Sequence, residues 1–231
     1  MMEAGKPLSE QTADALIQYI IDHNLHQNDR LPNEKELTGL LGVGRSTLRE
    51  AVRMLASRNI LEVRHGAGIF VSDNTGIADD PLGFTFIRDK KKLVADLVEF
   101  RMMIEPRIAA LAAQYATEEQ TEALSALADA VELRYAEGVS HVKEDAAFHT
   151  KLGEMSGNLL MPNLEPIIIE AIGMFIELTQ SELREETIRS HRAIVDAVRA
   201  HNPTAASDAM TLHLIYNRIR LQSIAENPVE K

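Results

Sequence analysis

Gly42-Val43-Gly44-Arg45-Ser46-Thr47-Leu48-Arg49-Glu50-Ala51-Val52-Arg53-Met54-Leu55 decides the fold of the N-terminal part of this chain. The two glycines break any helix that precedes them. After them Leu48, Val52 and Leu55 recur at helical spacing, which predicts a helix over about 45–57 with those three facing inward. Working back, Asn33-Glu34-Lys35-Glu36 places an N-cap residue three positions before a Glu, the start of a short helix that ends at Leu41. Further back, Ala13, Leu16, Ile17, Ile20 and Ile21 form the apolar stripe of a helix over 9–24, which the stretch 28–32 interrupts. Working forward, residues 60–63 and 69–71 read as two short strands, with Gly66-Ala67-Gly68 as the turn between them. Helix, short helix, tight turn, helix and hairpin, in that order, describe a winged helix-turn-helix over residues 1–72.

Such a unit presents the start of its second helix to the major groove. Arg45 and Arg49 lie one turn apart there, and Arg can grip guanine O6 and N7 with two hydrogen bonds. Ser46 and Thr47 offer hydroxyls and helix-start N–H groups to phosphate. In Arg64-His65-Gly66-Ala67-Gly68 the glycines let the wing approach phosphate or the minor groove closely. Alone, each of these features also fits a solvated face or a plain hairpin. The net charge of −11 argues against nucleic acid only until its distribution is considered. Residues 1–72 hold 8 Lys/Arg and 9 Asp/Glu, whereas 73–231 hold 16 and 26. Phosphates respond to the local field, and five of the arginines fall within 45–64.

Residues 73–84 mix Asp, Asn, Thr, Gly and Pro and read as a linker. From there to residue 231 the pattern is helical throughout. Helices are expected over about 93–116 (with a kink at Pro106), 117–137, 140–156, 164–183, 185–201 and 204–224. Short connections make them an all-α antiparallel helical bundle, so the chain is mainly α. No apolar run is long enough to span a bilayer, no basic leader precedes an apolar stretch, and there is no cysteine. A cytoplasmic protein without a membrane partner is the expectation.

Within the helical part, Asp145 and His149 share one helix face, and His191 and His213 sit on two later helices among apolar residues. One carboxylate and three imidazoles suit a divalent ion, Zn²⁺, Ni²⁺ or Mn²⁺, with zinc favoured. Spacing alone leaves open that these are surface or hydrogen-bonded core residues. His23, His26, His141 and His201 match no pattern and read as surface residues.

Three separated motifs carry a resemblance. Leu31-Pro32-Asn33-Glu34-Lys35-Glu36-Leu37, Gly44 to Ala51, and Arg64 to Val71 closely resemble the DNA-binding domain of GntR-family bacterial regulators. Arg101 to Ala113, Phe148-His149 with Ser156-Gly157-Asn158, and His191 near Ala193-Ile194 resemble the FadR subfamily, with its helical FCD ligand-binding domain. The resemblance implies that Arg45 and Arg49 read bases, that Ser46 and Thr47 hold phosphates, and that His65 and Gly66 reach the minor groove. Lys35 stands where many members carry Arg and supplies charge without the planar fork. The resemblance further implies that Asp145, His149, His191 and His213 fill four metal-ligand positions. Two positions then remain for the carboxylate and hydroxyl of a small hydroxy-acid or sugar acid. Arg101 is a second anchor for that carboxylate, or else an ion-pair partner of Glu105. Asn217, one turn beyond His213, is placed in the same pocket.

The function this implies is an effector-responsive transcriptional regulator, not an enzyme. A homodimer would bind palindromic double-stranded operator DNA as a repressor and release it when the acid binds. Three alternatives stand beside it: the ion itself as signal, a structural ion, and a metal-dependent enzyme that activates water. The last would leave the winged domain unexplained, and no obvious general base accompanies the cluster.

Overall fold

A computed structural model describes residues 6–73, 82–179 and 183–226. Among them are nine α-helices and one hairpin. The chain divides into two compact units, Met1–Phe86 and Ile87–Lys231. Most of the expected linker, residues 74–81, lies outside the described residues.

The first unit contains α1 (Leu8–Asp22), α2 (Glu34–Leu41), α3 (Arg45–Ala56) and the antiparallel strands β1 (Leu61–Arg64) and β2 (Gly68–Val71). Helix α2 starts at a complete capping box: the Asn33 side chain accepts from the Lys35 and Glu36 N–H groups, and Glu36 accepts from the Asn33 N–H. It stops at Gly42, whose φ of 63° is left-handed. That stop produces the tight turn into α3. Leu16, Leu37, Leu48 and Leu55 are fully buried, and Leu61, Ile69 and Val71 close the core beneath the hairpin. Ile21, expected on the buried stripe of α1, is instead 64% exposed, one residue before the helix ends. The hairpin is also stitched to the segment before α2. Leu31 N–H donates to Ile69 O and Val71 N–H to Asp29 O, each at 2.9 Å. A Cβ at Gly68 (φ 127°) would lie 3.0 Å from the Arg30 guanidinium, so this approach needs glycine.

The second unit is a bundle of α4 (Lys90–Tyr115), α5 (Glu118–Glu137), α6 (Val142–Met155), α7 (Met161–Thr179), α8 (Arg184–Arg199) and α9 (Pro203–Glu226). Helix α4 runs through Pro106 without interruption. Thr117 and Gln120 form the capping box of α5, and Gly138 ends that helix at φ 69°. Asn202 caps α9 by accepting from the Ala205 N–H, with Pro203 as the first helical residue. One core gathers Phe148, Leu152, Ile194, Val198, Met210 and Leu214. Ala109, Ala112 and Ala113 of α4 are fully buried in it, their small side chains allowing neighbouring helices to approach closely. Helices α4, α6, α8 and α9 thereby converge, and each contributes a buried polar side chain where they meet.

Candidate metal centre and recognition helix

The bundle brings together all four residues expected to ligate metal. His149 and Asp145 come from α6, His191 from α8 and His213 from α9, and each is at most 5% exposed. One nitrogen from each histidine lies within 4.8 Å of the other two. Asp145 joins the edge of this group, its Oδ1 3.5 Å from His191 Nε2 and its Oδ2 4.0 Å from His149 Nε2. His191 is stacked on Phe148, with ring centroids 4.1 Å apart, which fixes its plane.

The surrounding bonds orient two of the rings. Glu105 of α4 lies 2.6 Å from His149 Nδ1, so Nδ1–H donates to the carboxylate and Nε2 is left as an acceptor, which Arg101 Nη2 approaches. Ser190 Oγ–H has backbone acceptors at Glu186 and Thr187, which leaves its oxygen to accept from His213 Nδ1 at 2.9 Å. His213 Nε2 is then a buried lone pair with no partner. His191 Nε2 and Asp145 Oδ1 are likewise buried and unpartnered. A buried polar atom without a partner is costly, and several of them converging on one point fit a divalent cation with imidazole and carboxylate ligands. Burial holds the pKa values of His191 and His213 well below the usual histidine range, with neighbouring cationic groups adding to the effect. Neutral imidazole is the form a metal requires.

Arg101 pairs with a neighbour on its own helix. It is 1% exposed and donates from Nε to Glu105 Oε1 at 2.5 Å, the ion pair expected as the alternative. Its Nη2 also lies 3.2 Å from His149 Nε2. Burial alone would push the Glu105 carboxyl up, but the Arg101 guanidinium and His149 hold it well below the usual carboxylate range. A narrow, partly open cavity adjoins the cluster, and Arg101, Asp145, His213 and Asn217 all line it. Asn217 is 4% exposed at that wall.

His141 requires a correction. It is not a surface residue but 2% exposed, with its ring 4.1 Å from that of Tyr135. The signal was its position four residues before Asp145, at the N-cap of the same helix. His23, His26 and His201 are exposed as expected. Sequence reasoning also missed Glu105 and Ser190 as the groups that orient His149 and His213.

In the first unit Arg45, Arg49, Ser46, Lys35, His65 and Gly66 are exposed, and Thr47 is half-buried. Helix α3 begins at Gly44 without a side-chain cap, so its first N–H groups have no side-chain acceptor. Arg49 is held by Glu34 of α2, with Nη2 2.9 Å from Oε2 and Nε within 3.2 Å of both carboxylate oxygens. In the wing, Arg64 lies over the Phe70 ring at 4.5 Å and pairs with Glu62 at 2.7 Å. Gly66 turns the hairpin with φ 72°.

Comparison with known proteins agrees with this architecture. The family model described as "Bacterial regulatory proteins, gntR family" matches residues 8–71, and that of the FCD domain matches residues 96–215. The solved structure of "Streptococcus agalactiae GntR" is 42% identical, covers 91% of this chain and 99% of its own, and superposes with a TM-score of 0.81. The "HTH-type transcriptional repressor NanR" of Enterobacter sp. (strain 638) is 28% identical over 91% of this chain and 84% of its own length. Its counterpart in Escherichia coli (strain K12) is 27% identical over 91% and 83%. These relatives are regulators of transcription and not enzymes. No helix among the described residues is long and apolar enough to cross a membrane. The chain belongs to the GntR family of bacterial transcriptional regulators, in its FadR-like subfamily, with a helix-turn-helix followed by an FCD domain.

Proposed function

We propose that this protein is a repressor that binds a palindromic operator as a homodimer and releases it when a small hydroxy-acid or sugar acid enters a metal-containing pocket of the FCD domain. The observation that carries the reading is the cluster of buried, unpartnered donor atoms on Asp145, His191 and His213, opening on a cavity that Arg101 and Asn217 also line. Asp145, His149, His191 and His213 would hold the ion, with zinc favoured by the donor set. When bound, a divalent ion supplies a Lewis-acidic partner for the carboxylate and hydroxyl of the acid. Arg101 supplies a fixed positive charge at the same wall, and Glu105 keeps the His149 ring aligned.

On DNA, Arg45 and Arg49 read bases, Ser46, Thr47 and Lys35 hold phosphates, and His65 and Gly66 follow the minor groove. Residues 1–72 are the reading head, 73–84 the linker and 85–231 the effector domain. The acid shifts the equilibrium only if it binds the DNA-competent and DNA-incompetent forms with unequal affinity. The NanR relatives are named as repressors, and repression is the sign proposed here.

The test is titration calorimetry of the zinc-loaded chain with hydroxy-acids and sugar acids, alongside operator gel shifts. A binder that is lost on chelation and releases the operator is the expected result. Operator affinity that tracks free metal and ignores every acid would instead make the ion the signal.

A further inference from the structure

Arg30 comes before the first helix of the helix-turn-helix and lies against the wing. Residues 29–31 run antiparallel beside β2, with Arg30 bridged to Phe70 and a backbone hydrogen bond on either side of that pair. Ile69 and Val71 point into the core, so Gly68 and Phe70 point outward. Their register partners Arg64 and Glu62 of β1 share the outward face, and so does Arg30. The Arg30 guanidinium lies over Gly68: a Cβ there would sit 3.0 Å from its Nε, 3.4 Å from Nη2 and 3.5 Å from Cζ. Gly68 is the first residue of β2 after the turn, so the guanidinium is placed beside the tip of the wing. The acids around it are engaged elsewhere. Glu62 accepts from Arg64, Asp73 from the Asn28 side chain, and Asp29 from the His26 N–H. Arg64 is itself bound to Glu62 and Asn28 and stacked on Phe70. Arg30 is exposed, and no described residue pairs with its guanidinium.

We propose that Arg30 grips a phosphate of the DNA strand that runs between the recognition helix and the wing. The proposal rests on the DNA-binding role of the first unit and is independent of the metal-and-acid reading. A helix in the major groove and a wing in the adjacent minor groove straddle one sugar–phosphate strand. Arg30 stands at the junction of the two elements. On the wing side, Leu31 N–H is bonded to Ile69 O of the hairpin. On the other side, Asn33 caps α2, whose first turn carries the exposed Lys35 and the Glu34 that holds Arg49 of α3. The short segment bearing Arg30 therefore joins the wing to the DNA-facing edge of the helix-turn-helix. A guanidinium there can present two parallel N–H bonds to a phosphate. Arg64 is the more obvious wing cation in the sequence, but Glu62 neutralises it, whereas Arg30 keeps its full charge for DNA. A phosphate contact fixes position and carries no sequence information. Arg30 thus complements Arg45, whose expected contact is with a base.

The test uses the full-length protein and two probes: the duplex that wild type selects from a random-sequence pool, and the unselected pool itself. Affinities are read by fluorescence anisotropy between about 50 and about 200 mM salt. Arg30→Gln is expected to weaken both probes by the same factor, about tenfold. The plot of log affinity against log salt should become shallower by about 1 per bound subunit. The melting temperature should not change, because the guanidinium has no partner to lose. Arg30→Lys keeps the charge and should keep the wild-type slope. An unchanged slope in Arg30→Gln would overturn the proposal. A loss confined to the selected duplex would also overturn it, by making Arg30 a reader of bases. So would a slope that falls equally in Arg30→Gln and Arg30→Lys, since the shape of the wing and not the charge would then be the cause. A wild type that selects no duplex would overturn the DNA-binding role together with the phosphate contact, so the two failures are told apart.

Discussion

Glu105 shows how much of this site depends on a residue that touches no ligand in the proposal. Its carboxylate joins Arg101 on one side to His149 Nδ1 on the other, with all three side chains buried. Replacing it by Gln keeps the shape and an oxygen for His149 but removes the charge that balances Arg101. Zinc affinity of Glu105→Gln is expected to fall about 10–100-fold, measured by competition with a chelating dye. Unchanged affinity would mean that His149 is oriented without Glu105. Arg101→Ala is expected to destabilise the protein by about 3–5 kcal/mol in urea melts, because it strands a buried carboxylate. The sequence displayed Arg101 and Glu105 in one motif but could not say whether Arg101 faced a ligand or its neighbour, and the structure shows it doing the second while lining the cavity. His141 was misread for a related reason. Burial on a helix is set by residues three and four away, not by flanking ones. His213 lies between Leu212, 44% exposed, and Leu214, fully buried, so adjacent apolar residues never were the signal. For His141 the informative neighbour was Asp145, one turn on.

Helix starts and stops were the most legible features, because their chemistry is local. The boxes at Asn33 and Thr117, the stop at Gly42 and the Asn202–Pro203 start all occur where side-chain type demanded them. Asn33→Ala removes the acceptor for two N–H groups and should cost about 0.5–2 kcal/mol. That loss should appear as lower stability of the helix-turn-helix, with operator sequence preference unchanged once folded. Arg45→Ala should do the reverse: stability unchanged, operator affinity reduced by about 1–3 kcal/mol and discrimination relaxed at one base pair. Equal losses on operator and random DNA would show that Arg45 touches only phosphate. What the sequence did not disclose in this unit is the grip of Glu34 on Arg49, which joins two helices fifteen residues apart and has no periodic signature.

The bundle as a whole keeps three imidazoles neutral in its interior, and this has a consequence for acid stability. Burial lowers the pKa of His141, His191 and His213, so the unfolded chain binds protons at a higher pH than the folded one. For groups depressed in this way, the stabilisation present above the unfolded pKa, about 6.5, is lost as pH falls towards the folded values. Chelated protein should therefore show a falling melting temperature as the buffer is taken from about pH 7.5 to about pH 5.5. Glu105, whose pKa is depressed too, keeps its contribution until pH falls below about 4.3, its unfolded value, so the loss between about pH 6.5 and about pH 4.3 belongs to the histidines and not to Glu105. Adding zinc at pH 7.5 should raise the melting temperature, because a ligand that binds only the folded state stabilises it by mass action. At about pH 5.5 the increment should shrink, since protons compete for the same nitrogens. A zinc increment that is independent of pH would place the ion on groups other than these histidines. A melting temperature flat across the range without zinc would mean that protons reach the cluster in the folded state as readily as in the unfolded one, and that the donor atoms are not sealed from water.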